Sequence, residues 1–374
     1  MGPKTKLADV LKLLWSSDQH TLHNLTPTAH ILSNLSYFYY TAYDLEKIDL
    51  VVLGGDFFDR LVDASDRDLR KAEYWIKGFL QRCADAKVIV RVLEGTASHD
   101  WEQPEMFEVL CPENHNLKWV KTLSTETIEE LGITVLYVPD NMGAKSTDDI
   151  WEETLTLLSS QGLTEVDFIF FHGSFKYQLP AHLNHHSHDE HRWQSIVKYA
   201  LFAGHVHKPS ENGKIYVSGS FDRIRHGEEH PKGAYYAECN LKTETFKATF
   251  YENKKSLPYI TVKVTPEMSA TEVGDKLMAV MKQNHLPLHS QLRVKGGASN
   301  VVNPIVDSFK KEFPFLGFAT DNVKTDEQIV DETLYSERTY QGVTLNAGNL
   351  KSSLMNYTSE ERRLGQECRS RWSP

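Results

Sequence analysis

Five short polar stretches contain the residues best suited to chemistry, and they occur in a fixed order along the chain. They read S-D-Q-H at 17–20, G-G-D-F-F-D at 54–59, S-H-D at 98–100, H-G at 172–173 and G-H-V-H at 204–207. Each supplies Asp, His or both, which are side chains that divalent metal ions accept as ligands. One such stretch is usually a cap or a surface feature, whereas five in series predict a phosphoesterase that uses two metal ions.

The spacing of these residues suggests how two ions would be held. Asp18 and His20 are alternate residues at a predicted strand end, so we expect both to point the same way and bind one ion. Asp56 follows a buried strand, and its two oxygens can bridge two ions. His205 and His207 repeat the alternate spacing and could face different ions. Two ions roughly 3.5–4 Å apart clamp a phosphodiester and lower the pKa of a water between them.

A histidine and an aspartate after a glycine turn suggest a further catalytic role. His99 could donate a proton or a hydrogen bond to the leaving oxygen, with Asp100 fixing the loop. Both are therefore candidate catalytic residues.

Two other polar groups have plainer interpretations. We expect Asp59 and Arg60 to form an internal ion pair that supports the Asp56 loop. The histidine-rich tract at 182–191 is open to interpretation as an extra metal site, but an exposed loop near the mouth of the site is the favoured interpretation.

Alternating strands and helices over the first two-thirds of the chain predict an α/β fold. Such alternation favours parallel sheets with helices outside and ligand sites beyond the carboxyl ends of the strands. The segment 214–252 lacks helices, which predicts antiparallel closure of the sheet. The predicted strands are 11–15, 49–53, 87–93, 133–138, 166–171, 199–203, 215–217, 234–239 and 245–251, and the predicted helices are 28–46 and 66–84.

A second unit begins near Leu257. Strands at 259–264, 291–295 and 316–320, with helices at 270–283 and 304–313 between them, predict a small α/β module. A polar linker and a tail with one or two short helices follow. The sequence therefore predicts three parts, residues 1–255, 256–324 and 325–374.

Composition narrows the class of protein. The 374 residues carry a net charge of −10, which argues against indiscriminate adhesion to nucleic acid but leaves room for a local basic groove. The four cysteines are scattered and form no C-x-x-C pair, as suits a reducing compartment. No apolar stretch approaches the roughly 20 residues that span a bilayer. We therefore expect a cytoplasmic protein with no membrane partner, in the host cytoplasm if a phage encodes it.

The ordered motifs D-x-H, G-D-x-x-D, S-H-D, H-G and G-H-x-H resemble those of the calcineurin-like metallophosphoesterase superfamily. Within it, the chain looks most like the SbcD-type nuclease subunit of the double-strand-break repair complex, and especially like tailed-phage recombination endonuclease subunits. The apolar pair Phe57 and Phe58 and the segments Y-V-S-G-S-F-D-R at 216–223 and K-G-A-Y-Y at 232–236 carry this resemblance. It implies a β-sandwich flanked by helices, a small α/β capping domain and a helical C-terminal tail.

The resemblance also implies a role for each site residue. It puts Asp18, His20 and His207 on one ion, Asp56 between the ions, His172 and His205 on the second ion, and His99 beside the scissile phosphate. The family usually has G-N-H-D, whereas residues 96–100 read T-A-S-H-D. On that basis Ser98 replaces an asparagine ligand of the second ion. A hydroxyl is a shorter and poorer ligand, so we expect weaker or water-mediated binding there.

The activity implied is a DNA nuclease with two Mn²⁺ ions, or Mg²⁺ in their place, that acts in recombination, repair and replication. It would be an exonuclease on duplex ends and an endonuclease on single strands. The resemblance further implies a homodimer joined to an SbcC-like coiled-coil ATPase subunit. Leu350, Leu354, Met355 and Tyr357 would dock on that subunit, unless they pack on the chain's own cap.

Four basic residues near the last metal motif are candidate DNA contacts, through backbone phosphates rather than bases. They are Arg223, Arg225, His226 and Lys232. Two other functions remain open. One is a phosphatase or cyclic-nucleotide phosphodiesterase with the same metal core, and the other is a mainly architectural subunit with weak catalysis, which Ser98 motivates.

Overall fold

Two six-stranded sheets and one three-stranded sheet form the framework of the protein. The computed structural model describes residues 10–63, 65–140, 145–180 and 187–321. The strands of the first sheet are β1 (Val10–Ser16), β2 (Leu50–Leu53), β3 (Ile89–Leu93), β4 (Leu117–Val120), β11 (Gly233–Asn240) and β12 (Thr245–Glu252). Their order is β12-β11-β1-β2-β3-β4, with β1 to β4 parallel and β11 and β12 antiparallel.

The second sheet is parallel at its centre and antiparallel at both edges. Its strands are β5 (Ser124–Ile128), β6 (Ile133–Val138), β7 (Val166–His172), β8 (Val197–Gly204), β9 (Ser210–Asn212) and β10 (Ile215–Val217). Their order is β5-β6-β7-β8-β10-β9. The predicted antiparallel closure is confirmed for β11 and β12 but wrong for β10, which runs parallel to β8. The short strand β9 reverses the chain between them, which restores the direction of β8.

The two sheets face each other across an apolar core, and helices cover their outer faces. Trp15 and Val52 of the first sheet share the inner core with Phe170 and Phe202 of the second, whereas the neighbouring Leu14 points outward into the helices. The helices of this part are α1 (Thr28–Tyr37), α2 (Leu69–Ala86), α3 (Glu105–Leu110), α4 (Thr147–Ser160) and α5 (Glu190–Ser195). The first three pack on the first sheet, and the last two pack on the second. The chain is thus a mixed α/β protein.

The helix predicted at 28–46 is broken into three pieces. After α1 ends at Tyr37, a π-helical turn spans Phe38–Ala42 and a 3₁₀ turn spans Leu45–Lys47. The N–H of Tyr43 donates to the carbonyl of Phe38 at 3.2 Å, which is the wider i→i+5 bond of a π turn.

The third sheet belongs to a small module with its own apolar core. Its elements are β13 (Tyr259–Lys263), α6 (Ala270–Asn284), β14 (Gln291–Lys295), α7 (Ser299–Glu312) and β15 (Gly317–Asp321). The three strands are parallel. None of the helices in the described residues has the length and apolar character needed to cross a membrane. The tail at 325–374, including Leu350, Leu354, Met355 and Tyr357, lies outside the described residues.

Candidate metal centre

Six Asp and His side chains from four strand ends meet at one edge of the paired sheets. Carboxyl ends of parallel neighbours lie at the same edge, which is why such ends form sites. From the first sheet come Asp18 and His20, which follow β1, and Asp56, which follows β2; from the second come His172, the last residue of β7, and His205 and His207, which follow β8. They form two groups of three, and the ligand atoms of each group lie within 4.8 Å of one another.

The backbone reaches this arrangement through left-handed turns rather than strand alternation. The φ angles are 50° at Asp18, 47° at His20, 51° at Asp56 and 88° at His205. The N–H of Asp18 donates to Gly55 O at 3.0 Å, and that of His20 donates to Asp56 O at 3.1 Å. Positive φ is uncommon outside glycine and concentrates at functional sites. The expectation that an extended strand end orients Asp18 and His20 is therefore wrong in detail.

The first cluster consists of Asp18, His20 and His207. The Nε2 atoms of His20 and His207 are 3.0 Å apart, and His207 Nε2 is 3.7 Å from Asp18 Oδ1. Two ligand atoms that bind one hard ion at right angles, each about 2.1 Å from it, lie about 3.0 Å apart. The spacing of the two imidazoles therefore fits a shared ion.

A carboxylate lies behind each imidazole of this cluster. Asp59 Oδ1 is 3.3 Å from His20 Nδ1, and Glu228 Oε1 accepts a hydrogen bond from His207 Nδ1 at 2.7 Å. These carboxylates favour the proton on Nδ1 and leave the lone pair on Nε2, as in metal-binding histidines generally. Burial outweighs the effect of Asp59 and lowers the pKa of His20, so this ring is neutral at neutral pH, as a metal ligand must be.

The second cluster consists of Asp56, His172 and His205. The buried His172 donates from Nδ1 to Gly54 O at 2.6 Å, so the lone pair of the neutral ring is on Nε2. That Nε2 lies 3.3 Å from Asp56 Oδ2 and has no hydrogen-bond partner within the described parts of the chain. Buried polar atoms are almost always satisfied, so an orphaned nitrogen here fits a role as the ligand of a cation.

The electrostatics of the second cluster favour positive charge. Burial lowers the pKa of His172, but Asp56, Asp18 and Asp140 raise it by more, and the pKa ends well above its ordinary value. Burial likewise raises the pKa of Asp56, yet His172, His99 and His20 bring it well below the usual range. Without a metal, this pocket favours a proton on His172 beside the ionised Asp56; a divalent cation would take the place of that proton and leave Nε2 free to bind.

Asp100 fixes the backbone of the loops at 54–58 and 95–100 rather than the metal-ligand side chains. Its buried carboxylate accepts backbone N–H bonds from Asp56 at 2.8 Å, Gly95 at 2.9 Å and Phe58 at 3.1 Å. A Cβ on Gly95 would collide with the backbone nitrogen of Asp56, so only glycine allows this approach. Asp100 is thus a positioning residue.

His99 lies beside the first cluster. Its Nδ1 donates to the carbonyl oxygen of Asp59 at 2.5 Å, and its ring centroid is 4.8 Å from that of His20. His20, Asp59 and His99 also form a third group of converging ligand atoms. The Asp59–Arg60 ion pair expected from the sequence is wrong: Arg60 pairs with Asp66 at 2.6 Å, and Asp59 faces the site.

The ligand predicted at Ser98 lies differently from expectation. Ser98 is exposed on its turn, whereas Thr96, two residues earlier, lies against the second cluster. The backbone N–H of Thr96 donates to Asp56 Oδ1 at 2.6 Å.

Lys232, a predicted DNA contact, is buried and cannot reach solvent. Its Nζ donates to His207 O at 3.0 Å and Ser220 Oγ at 2.7 Å, and pairs with Glu228 at 2.9 Å. Burial lowers the pKa of Lys232 to about 8 although Glu228 raises it. Lys232 therefore braces the His207 loop, and its prediction as a phosphate contact is wrong.

The other three basic candidates divide by exposure. Arg223 is half-buried and donates to three backbone carbonyl oxygens, and the ring of His226 packs on that of Tyr259 with centroids 5.2 Å apart. Arg225 is exposed, with its Nε 3.2 Å from Glu228 Oε1. Among these three, Arg225 best keeps the geometry expected of a phosphate contact.

The described end of the histidine-rich tract is not an exposed loop. Ser187 and His188 are buried, and the His188 ring packs edge-on against Phe171 at 4.8 Å between centroids. Burial lowers the pKa of His188 to about 3. Asp189 caps α5 through the N–H of His191. Residues 182–186 lie outside the described residues.

Comparisons with known proteins identify no family. No protein-family model matches the sequence, and no curated protein matches it. Among solved structures, the protein TT1561 of Thermus thermophilus is 13% identical, with 64% of this chain and 99% of that one covered, at a TM-score of 0.39. A glutamine-dependent NAD+ synthetase from Acinetobacter baumannii is 10% identical, with 94% and 73% covered, at a TM-score of 0.32. Likenesses at this level assign neither a family nor an activity to the chain.

Proposed function

We propose that the chain is a two-metal phosphodiesterase of the calcineurin-like type, and that it acts on DNA as an SbcD-type nuclease. The observation that carries the proposal is the pair of Asp/His clusters, in which the Nε2 atoms of His20, His207 and His172 lie beside the other ligand atoms. The motif order of the sequence directs the proposal to this superfamily. We propose on the same ground that the two large sheets are the β-sandwich of this superfamily and that the small module is its capping domain.

The donor set fits hard divalent ions that also accept imidazole, of which Mn²⁺ is the first choice and Mg²⁺ the second. Asp18, His20 and His207 would hold one ion, His172 and His205 the other, and Asp56 would lie between them. When bound, such ions neutralise charge on the phosphate and lower the pKa of a water.

The chain's own residues would orient the reaction and supply a proton. His99 donates from Nδ1 to Asp59 O, so Nε2 is the nitrogen that can carry a proton to the leaving oxygen. Water supplies the oxygen that joins phosphorus, the phosphorus–oxygen bond of the leaving group breaks, and His99 protonates the leaving oxygen. Asp59 and Glu228 would hold the imidazoles of His20 and His207 in their ligating tautomers.

DNA and protein partners enter the proposal through the family resemblance. The exposed Arg225, 3.5 Å from His207 Nδ1 through its Nη2, would meet a phosphate beside the first cluster. A homodimer and an SbcC-like ATPase partner are proposed on the same resemblance. The four apolar tail residues predicted to dock on the ATPase belong to that proposal.

A cleavage assay tests the function directly. Labelled duplex and single-stranded DNA would be incubated with Mn²⁺ or Mg²⁺, with and without the ATPase subunit, using the native chain and an Asp56→Asn variant. We expect Mn²⁺-dependent cleavage by the native chain and its loss in the variant. DNA left intact while a phosphomonoester or a cyclic nucleotide is hydrolysed quickly would instead support a phosphatase or a cyclic-nucleotide phosphodiesterase. Bound metal without hydrolysis of any of these substrates would support an architectural subunit.

A further inference from the structure

We propose that the hydroxyl of Thr96 and the carboxylate of Asp140 complete the ligand set of the second ion, in the position that the sequence pattern assigns to Ser98. This inference rests on the proposed two-metal function and specifies how the weaker of its two sites is built. Nothing in the five polar motifs points to Asp140, and Thr96 is a neutral residue that sequence reasoning passed over.

The Thr96 hydroxyl lies between two carboxylates, those of Asp56 and Asp140, and its single hydrogen cannot satisfy both. Its Oγ1 is 3.3 Å from Asp56 Oδ2, 3.1 Å from Asp140 Oδ2 and 3.3 Å from His205 Nδ1. A hydroxyl has one hydrogen to donate and two lone pairs. At least one of the surrounding acceptors therefore lacks that hydrogen, and a cation at this point would satisfy several of them together.

Asp140 reaches the cluster from a strand that the ligand motifs did not include. It follows the end of β6, which pairs in parallel with β7, so it arrives at the same edge of the sheet as His172. Its N–H donates to Glu94 O at 3.3 Å, which ties it to the chain just before Thr96. Its Oδ2 is 3.9 Å from His205 Nδ1.

An independent observation points to a ligand at this place. His172 Nε2 is buried, lies 3.3 Å from Asp56 Oδ2 and has no hydrogen-bond partner among the described residues. Asp56, His172 and His205 provide only three ligands, whereas hard divalent ions take about six. Asp140 would add a second carboxylate beside the shared Asp56, and carboxylate oxygens are the ligands that hard divalent ions prefer.

Binding of Mn²⁺ to the metal-free protein tests the assignment without reliance on activity. Titration calorimetry would measure Mn²⁺ affinity, and electron paramagnetic resonance would measure the Mn²⁺ that stays free in solution. The proteins compared are the native chain, Thr96→Val, Thr96→Ser, Asp140→Asn and Ser98→Ala. Thr156→Val and Asp307→Asn make the same chemical changes at exposed positions and are the matched controls. Unfolding of each metal-free variant would be recorded alongside.

We expect the native chain to bind two Mn²⁺ ions. Thr96→Val and Asp140→Asn should each lower the affinity for one of these ions about tenfold or more. Thr96→Ser keeps the hydroxyl and should retain most of the affinity, as should Ser98→Ala and both controls. If Thr96→Val and Asp140→Asn bound both ions with native affinity, or if Ser98→Ala lost one ion, the assignment would be wrong. If Asp140→Asn does not fold, the contrast between Thr96→Val and Thr96→Ser decides. A native chain that binds no Mn²⁺ would contradict the proposed function itself, a separate result.

Discussion

The Nε2 atoms of His20 and His207 lie 3.0 Å apart, although 187 positions separate the two residues in the chain. Each ring has a carboxylate at its Nδ1 side, Asp59 for His20 and Glu228 for His207. At that distance one Nε2 can donate a hydrogen bond to the other, or the two lone pairs can bind one cation. A shared cation would use both lone pairs at once, and the ligand atoms of Asp18, His20 and His207 lie close enough together to hold it.

Removing the charge behind His207 should weaken metal binding. Glu228→Gln keeps the size of the side chain but removes the carboxylate that orients the imidazole, and changes of this kind cost about 10–100-fold in metal affinity. Calorimetric titration with Mn²⁺ measures the effect. Glu229→Gln, next in sequence and exposed, is the matched control and should bind as the native chain does. Equal affinities in the two variants would show that Glu228 does not orient a ligand.

Loss of the His99 imidazole should separate catalysis from metal binding. General acid catalysis contributes about 10²–10⁴-fold, so His99→Ala should slow DNA cleavage by that order while both Mn²⁺ ions still bind. Cleavage rates and a metal titration on the same preparation give the two readouts. His115→Ala, at an exposed position, is the control. A His99→Ala protein that cuts at the native rate would remove the catalytic assignment.

Asp100 should matter for stability more than for chemistry. Asp100→Ala leaves the buried N–H groups of Asp56, Phe58 and Gly95 without an acceptor, and each orphaned amide costs about 1–3 kcal/mol. Urea unfolding of the metal-free protein should show a loss of several kcal/mol. Asp85→Ala, on the exposed face of α2, should have little effect. An unchanged unfolding midpoint for Asp100→Ala would mean that the loops do not depend on this carboxylate.

Asp222, which is not one of the proposed metal ligands, should make the free energy of unfolding depend on pH. Burial raises its pKa to about 7 from the usual value of 3.8, against hydrogen bonds from Asn34 and Ser256. Between these two values the folded state holds a proton that the unfolded state releases, so stability falls as pH rises from about 4 to 7. The loss is up to about 1.4 kcal/mol per pH unit within that range.

The Asp222→Asn variant measures that contribution. Because Asn stays neutral, the variant should lose less stability than the native chain between pH 5 and pH 7.5. Urea unfolding with a chelator present isolates the effect from metal binding, and Asp307→Asn is the exposed control. Parallel stability curves for Asp222→Asn and the native chain would contradict the prediction.

The sequence predicted the positions of the main strands and the residues at their ends because apolar runs followed by Asp or His are a strong signal. The same rule applied to the run at 133–138 would have found Asp140. Glu228 could not be found in this way, since it lies in an irregular segment, and its role depends on a contact with His207 from 21 positions away. The strands β4, β5 and β9 were missed because they are mostly half-exposed and show no continuous apolar run.

Thr96 and Ser98 show why a short motif alone does not fix a site. Both are hydroxyl residues in one turn, and only the fold decides that Thr96 faces Asp56 while Ser98 faces solvent. The order of elements in the small module was predicted correctly because its strands and helices alternate at regular spacing, and each element buries one face in a local core. The helix predicted at 304–313 instead begins at Ser299, with Pro304 inside it.

Each cluster takes residues from both large sheets. Asp18 and His20 from one sheet meet His207 from the other, and Asp56 meets His172 and His205 across the same boundary. An ion in either position would cross-link the two large sheets. Metal binding would then also stabilise the packing of the two sheets, and a chelator would lower the stability of this part of the fold as well as remove the ions.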